Sequence, residues 1–248
     1  MKTAVIGITD SSMVTGRMIS EKLEECSLID LRGKGKLKEW VNNNFSLYDG
    51  FVFIMATGIV FRIIADHIDN KYTDPAVVIV DDAARFSIAA LSGHEGGANL
   101  LAARVGRMID AVPVITTASD TNKRIILGLG CRKGISKDEV VDAIKTSLDE
   151  SGLSLTDVRT GASAYIKRDE TGLIEAFDEL GIPLVFISAS RIKNFSGYNT
   201  ESKTARKYFN IPGVSEPCAL LAGRNTKLIQ NRKSYDRITI AIAREKIK

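Results

Sequence analysis

Apolar residues fall along this chain in two patterns. Short unbroken runs alternate with longer stretches in which apolar positions recur every three or four residues. The first pattern reads as buried strand and the second as amphipathic helix. Thr3–Ile8 is a run of the first kind, followed by helical spacing over Val14–Cys26. Lys36–Asn44 reads as a shorter helix. Phe51–Met55 is rich in strand formers and ends at Thr57-Gly58, a turn signal. Gly58–His67 returns to helical spacing, with Ile59, Ile63 and Ile64 available to one face. Ala76–Val80 is the next strand, opened by Asp74-Pro75. Gly96–Asp110 is a strongly amphipathic helix and Val112–Thr116 a strand.

The pattern then restarts. Arg124–Leu129 is a strand ending at Gly130-Cys131-Arg132-Lys133-Gly134. Ser136, with Glu139 three residues on, has the spacing of a capping box for a helix to about Glu150. Asp157–Thr160 is a short strand, Leu173–Leu180 a helix and Pro183–Ile187 a strand. Lys203–Phe209 and Ser215–Ala222 read as helices, and Arg237–Ala243 as a closing strand. Strands separated by helices need crossover connections, which give mostly parallel sheets covered on both faces. The predicted fold class is therefore α/β: two three-layer α/β/α domains, over residues 1–120 and 121–248. The polar stretch Ala118–Lys123 between two predicted strands is the expected joint.

Composition adds mainly exclusions. With 44% apolar and 26% charged residues, the chain is ordinary globular protein and not a disordered one. The net charge of +4 is too small for a dedicated nucleic-acid binder, and aromatic–basic interleaving is missing. Cys26, Cys131 and Cys218 are far apart and odd in number, so neither a disulfide framework nor a four-cysteine zinc site is expected. With only His67 and His94, a histidine-rich metal site is excluded. No cofactor or protein-bound metal is expected. The first apolar run is too short for a signal-peptide core, and no stretch approaches the ~20 apolar residues of a membrane helix. A soluble, cytoplasmic protein with no membrane partner is the expectation.

The most unusual stretch is Leu91-Ser92-Gly93-His94-Glu95-Gly96-Gly97-Ala98-Asn99, at the entry to the strongest helix. Glycines there cost helix propensity, so they need a reason. One reason is a turn with positive φ. Another is access, because amides at a helix start favour an anion or a developing oxyanion. His94 is of the residue type suited to general-base work at neutral pH, or else is a surface or core histidine. Glu95 is a candidate acid or base, but Ser92-x-x-Glu95 also has the spacing of a capping box. Thr57, Gly58 and Arg62 follow a strand and are placed to line a site, as are Asp81 and Asp82. Their plainer roles are cap, turn and surface charge. Arg132 and Lys133 suit carboxylate binding. Cys131 has no neighbouring histidine to activate it.

Taken together these segments resemble the CbiG family. Ala56-Thr57-Gly58-Ile59 with Arg62, Lys71, Asp74-Pro75-Ala76-Val77-Val78 and Asp81-Asp82 are similar to its N-terminal domain. Leu91–Asn99 resembles that domain's most recognisable motif, and Pro113–Ala118 follows in the family order. Gly128–Gly134, Lys167, Glu170 and Pro212–Leu220 resemble the C-terminal domain. Two departures stand out. Many members carry a middle domain, whereas here only a few residues separate Ala118 from Arg124. Ala83-Ala84 stands where the family tends to have glycine, so a different turn is expected there.

The resemblance implies a cobalt-precorrin-5A hydrolase of anaerobic cobalamin biosynthesis. Such an enzyme opens the δ-lactone of its tetrapyrrole substrate and releases acetaldehyde and cobalt-precorrin-5B. Cobalt arrives with the substrate, whose acetate and propionate arms give Arg62, Lys71, Arg132 and Lys133 a role. The expected site has His94 as base, oriented by Asp81 or Asp82, with Gly96 and Gly97 amides on the oxyanion. Glu95, Gly93 and Asn99 complete it, beside Thr57 and Gly58. The alternative is a non-catalytic tetrapyrrole carrier or scaffold of the same pathway. Contact with other enzymes of that pathway and self-association both stay open.

Overall fold

Along Thr3–Gly7, Gly50–Ile54 and Ala76–Val80, successive residues point alternately to two faces, and both faces are buried. This is what a central sheet between helix layers requires. The computed structural model describes residues 1–33, 35–197, 199 and 202–246. The chain forms two units, Met1–Asp120 and Thr121–Lys248.

The first unit runs β1 (Thr3–Gly7), α1 (Asp10–Ser20), β2 (Cys26–Asp30), α2 (Lys36–Asn44), β3 (Gly50–Ile54) and α3 (Thr57–Ile64). It continues with β4 (Ala76–Val80), β5 (Phe86–Leu91), α4 (Ala98–Ile109) and β6 (Val112–Val114), and its last residues enter the short α5 (Ala118–Thr121). The sheet order is β2-β1-β3-β4-β5-β6. Val5, Val52, Ile54, Val78 and Val80 pack with Ile19 of α1 and with Leu101 and Val105 of α4. The alternate residues Ile6, Phe51, Phe53, Val77 and Ile79 pack with Val41 of α2 and with Val60 and Ile64 of α3.

The second unit runs β7 (Ile125–Cys131), α6 (Lys137–Glu150), β8 (Val158–Ala164), α7 (Thr171–Glu179) and β9 (Leu184–Ile187). It continues with α8 (Ala189–Lys193), α9 (Lys203–Phe209), α10 (Ser215–Leu221), β10 (Thr226–Tyr235) and β11 (Ile238–Glu245). Its sheet order is β10-β11-β7-β8-β9. The Ser136–Glu139 capping box is formed, and α6 starts at Lys137. Large residues cover one face: Leu127, Leu129 and Ile240 lie against Val140 and Ile144 of α6 and Phe177 of α7. The other face carries Gly128, so α10 approaches backbone to backbone. A Cβ at Gly128 would sit 1.9 Å from the Ser215 carbonyl oxygen.

Both sheets are mostly parallel, with helices on both sides. β1, β2, β3 and β4 run together, as do β7, β8 and β9. Three strands absent from the sequence reading supply the differences. β2 takes over where helix was expected to reach Cys26, because α1 ends at Ser20 and Glu25 adopts φ 50°. β10 is an edge strand whose half-buried positions include Thr226, Gln230 and Arg232, so hydrophobic alternation does not mark it. β5 pairs antiparallel with β4, and β6 pairs parallel with β5. The last two strands of the first sheet therefore run against the other four.

The turn that reverses the chain is built on Asp81. Its carboxylate accepts the Arg85 and Phe86 amides at 2.7 and 2.8 Å and the Arg85 guanidinium at 2.9 Å. Ala84 sits within it at φ 53°, in the left-handed region that favours glycine. An Ala in that region costs ~1–2 kcal/mol, more than the ~0.4–1 kcal/mol of unfolded-chain entropy that alanine saves. Ala84→Gly is therefore expected to raise the thermal unfolding midpoint, by a net stabilisation of about 0.5–1 kcal/mol. A lowered midpoint would contradict this account of the turn.

Candidate active site

β5 delivers its glycine-rich sequel to the carboxyl end of β5 and β6, which is the amino end of β1, β3 and β4. Ser92, the first residue after β5, has φ 53°, and Gly97, just before α4, has φ 85°. Between them the loop folds back on the helix start. The Ser92 carbonyl accepts the amides of Gly96 and Ala98 at 3.1 and 3.2 Å, and the Gly93 carbonyl accepts the Asn99 amide at 2.9 Å. The three glycines answer different needs. A Cβ at Gly93 would lie 2.7 Å from Thr117 Oγ1, and one at Gly96 would lie 2.4 Å from Ser92 Cβ. At Gly97 nothing lies within 4 Å, so its requirement is the positive φ alone.

Asn99 is the organiser of this edge. Buried in the first turn of α4, it donates from Nδ2 to Asp120 Oδ2 at 2.6 Å and to Thr117 Oγ1 at 2.7 Å. Thr117 Oγ1 donates in turn to Asn99 Oδ1 at 3.1 Å. Asp120, in α5 just beyond β6, brings Oδ2 to 3.2 Å from His94 Nδ1. The Asp120 side chain is 17% exposed and that of His94 is 51% exposed. Nε2 of His94 has no protein partner among the described residues. A carboxylate on Nδ1 selects the tautomer that leaves Nε2 able to accept a proton.

The other predicted residues separate into three groups. Lys71 and Glu95 lie at the same edge as His94, joined at 2.6 Å. The Lys71 ammonium holds the Glu95 carboxyl below its ordinary value. Glu95 does not cap α4: the N-cap position is Gly97, and no side chain caps the helix. The Gly96 amide is committed to Ser92 and is not free for an oxyanion, whereas the Gly97 amide has no such partner among the described residues.

Thr57, Gly58, Arg62, Asp81 and Asp82 lie at the opposite edge of the sheet, across the length of β4, roughly 15 Å at the usual rise of a strand. Arg62 donates to the Gly58 carbonyl, and Asp82 accepts the Thr9 hydroxyl at 2.8 Å. Neither Asp81 nor Asp82 reaches His94, because β5 is antiparallel. The carboxylate paired with His94 is Asp120, which lies in the stretch read from the sequence as a polar joint. The signal available was an acid four residues after the predicted strand Val112–Thr116.

In the second unit Arg132 and Lys133 are exposed on the loop after β7. That loop is pinned from the β10–β11 turn by Arg237, which donates to the Lys133 and Gly134 carbonyls at 3.0 and 3.3 Å. Cys131 precedes them. Burial pushes its thiol from 9.0 up to about 11. Among the described residues no group of three or more His, Cys, Asp and Glu side chains is placed to hold a metal ion.

The Cys131 shift has a measurable consequence. Only thiolate is alkylated. A shift of two pH units lowers the thiolate fraction at pH 8 about 100-fold relative to an unfolded chain. Iodoacetamide labelling of Cys131 should slow accordingly between urea-unfolded and folded protein, as read by peptide mass spectrometry. Raised in the folded state, this group contributes stability below about pH 9 and loses it as pH rises towards 11. Equal labelling rates would refute the burial argument.

Both halves of the chain match models of one family. Residues 39–120 match the model described as Cobalamin synthesis G N-terminal, and residues 125–243 the one described as Cobalamin synthesis G C-terminus. The chain is 26% identical to the cobalt-precorrin-5A hydrolase of Priestia megaterium, over 84% of this chain and 82% of that protein. It is 38% identical to the cobalt-precorrin-5A hydrolase of Salmonella typhimurium, over 51% of this chain but 36% of that protein. The probable cobalt-precorrin-5A hydrolase of Methanocaldococcus jannaschii is 25% identical over 80% of this chain and 86% of that protein. The Priestia comparison spans 308 aligned positions, more than the 248 residues here, so that relative carries segments this chain lacks. With the two models together spanning most of the sequence, in order and end to end, the chain belongs to the CbiG family.

Proposed function

We propose that the chain is a hydrolase of cobalamin biosynthesis that opens the δ-lactone of cobalt-precorrin-5A and releases acetaldehyde and cobalt-precorrin-5B. The observation that carries this reading is the His94–Asp120 pair, held by Asn99 beside a glycine-rich helix start. The names of the relatives supply the substrate. Cobalt belongs to that substrate, so the chain provides no cofactor of its own. No helix among the described residues is long and apolar enough to cross a membrane, which agrees with a cytoplasmic enzyme.

In this mechanism His94 Nε2 removes a proton from water as its oxygen adds to the lactone carbonyl. Asp120 accepts the Nδ1 proton as a hydrogen bond and stabilises the imidazolium. The Gly97 amide is the donor left in the loop for the oxyanion. The acyl C–O bond then breaks, and the departing ring oxygen takes the proton back from His94. A free carboxyl and a hydroxyl result. In the second step that hydroxyl loses its proton and the C–C bond to the two-carbon fragment breaks. The fragment leaves as acetaldehyde, the bonding pair stays on the macrocycle, and the macrocycle gains a proton. One water is consumed overall.

The test is acetaldehyde release from cobalt-precorrin-5A under anaerobic conditions. His94→Ala is expected to lower kcat by ~10²–10⁴-fold, the range for loss of a general base. Asp120→Asn, which presents the wrong partner to Nδ1, should also lose most of the rate. Asp82→Asn and Arg62→Gln, at the far edge of the sheet, should stay near wild type. A His94→Ala enzyme within a few-fold of wild type would sink the assignment.

A further inference from the structure

The mechanism above makes no use of the carboxyl ends of the parallel strands in the second unit, yet a buried charged cluster sits there. Cys131 ends β7, Lys167 lies in the turn after β8, and Glu170 occupies the N-cap position of α7. Lys167 is 9% exposed. Its ammonium donates to Glu170 Oε1 at 3.3 Å, its sole polar contact among the described residues. The other oxygen of Glu170 accepts the Gly134 amide at 2.9 Å. The Cys131 thiol lies near enough to feel the charges of Lys167, Glu170 and Arg237.

An ammonium carries three donors. One long bond leaves two unused where there is little water, and a buried charge so poorly satisfied is costly. Glu170 is shared, its other oxygen being taken by the Gly134 amide. The result is a cation fixed in place with donors to spare, at the strand ends where α/β sheets take ligands. Arg132 and Lys133 are exposed on the same loop and make no ion pair among the described residues. They add long-range attraction for a polyanion.

We propose that Lys167, only partly paired by Glu170, is a binding site for a carboxylate arm of the ligand. It rests on the reading of the substrate as an acid-bearing tetrapyrrole. A carboxylate fits because it accepts both spare N–H groups and neutralises the charge that Glu170 only partly offsets.

Uroporphyrin, a stable porphyrin with eight carboxylates, serves as the probe, titrated into the full chain and followed by its fluorescence. Lys167→Gln should raise Kd about tenfold or more, as for loss of a charge-assisted hydrogen bond. Glu170→Gln should tighten binding, because the competing carboxylate is gone; a purely structural ion pair would instead make both variants bind worse. In the wild type, bound porphyrin should slow maleimide labelling of Cys131 at pH 9. If Lys167→Gln binds as wild type does, if Glu170→Gln weakens binding, or if the wild type binds no porphyrin, the carboxylate site is overturned whatever the acetaldehyde assay shows. If Lys167-dependent binding holds but no acetaldehyde is released, the hydrolase reading alone fails.

Discussion

Between β4 and β5 the chain has five residues, and five residues cannot carry a strand across a sheet to pair in parallel. The chain must turn back. Asp81 makes that turn by accepting the Arg85 and Phe86 amides, and everything downstream inherits the reversal. β5, α4 and β6 form a parallel crossover unit of their own, pointing the other way from β1–β4. Ligands bind at the carboxyl ends of parallel strands. For this unit that edge is where Ser92–Gly97, Thr117 and Asp120 meet.

That edge then asks three things of one short loop: a left-handed residue before α4, room for Thr117 and Asn99, and room for Ser92. Gly97, Gly93 and Gly96 meet these demands in turn. Because Ala98 and Asn99 amides bond to loop carbonyls, the helix start is rigid without a side-chain cap. Asn99 converts that rigidity into placement of Asp120, and Asp120 into placement of His94. His94 thus lies two side-chain hydrogen bonds away from Asn99 of α4.

Much of this was legible in the sequence, and the gaps have physical causes. The buried strands β1, β3, β4 and β7 announce themselves because both faces are apolar. Helix α6 announces itself through Ser136 and Glu139. β10 hides because polar Thr226, Gln230 and Arg232 interrupt the apolar Leu228 and Tyr235 among its inward positions, and β5 because it begins straight after a turn with no glycine to mark it. The second omission is the costly one. With β5 unseen, no reversal was expected after β4, and Asp81, Asp82, Thr57 and His94 were gathered at one edge. The glycine-rich motif was singled out as a candidate, and His94 with it. Asp120 was not, since its partnership with His94 spans 26 positions and depends on the direction of a strand that periodicity did not reveal.

The proposal of His94 as the base rests on what the other candidates are already doing. Lys71 holds the Glu95 carboxyl low, and a carboxylate made less basic is a poor proton acceptor at neutral pH. Asp81 is partly buried, but the Arg85 guanidinium and the Phe86 and Arg85 amides outweigh that burial and keep it ionised and occupied. Cys131, driven up by burial, stays a neutral thiol. Each of these groups is spent on structure or held in the wrong protonation state. Of the groups weighed for the role, His94 alone combines a ring nitrogen fixed by a carboxylate with a second nitrogen left unbound, which is the arrangement a water-activating base requires.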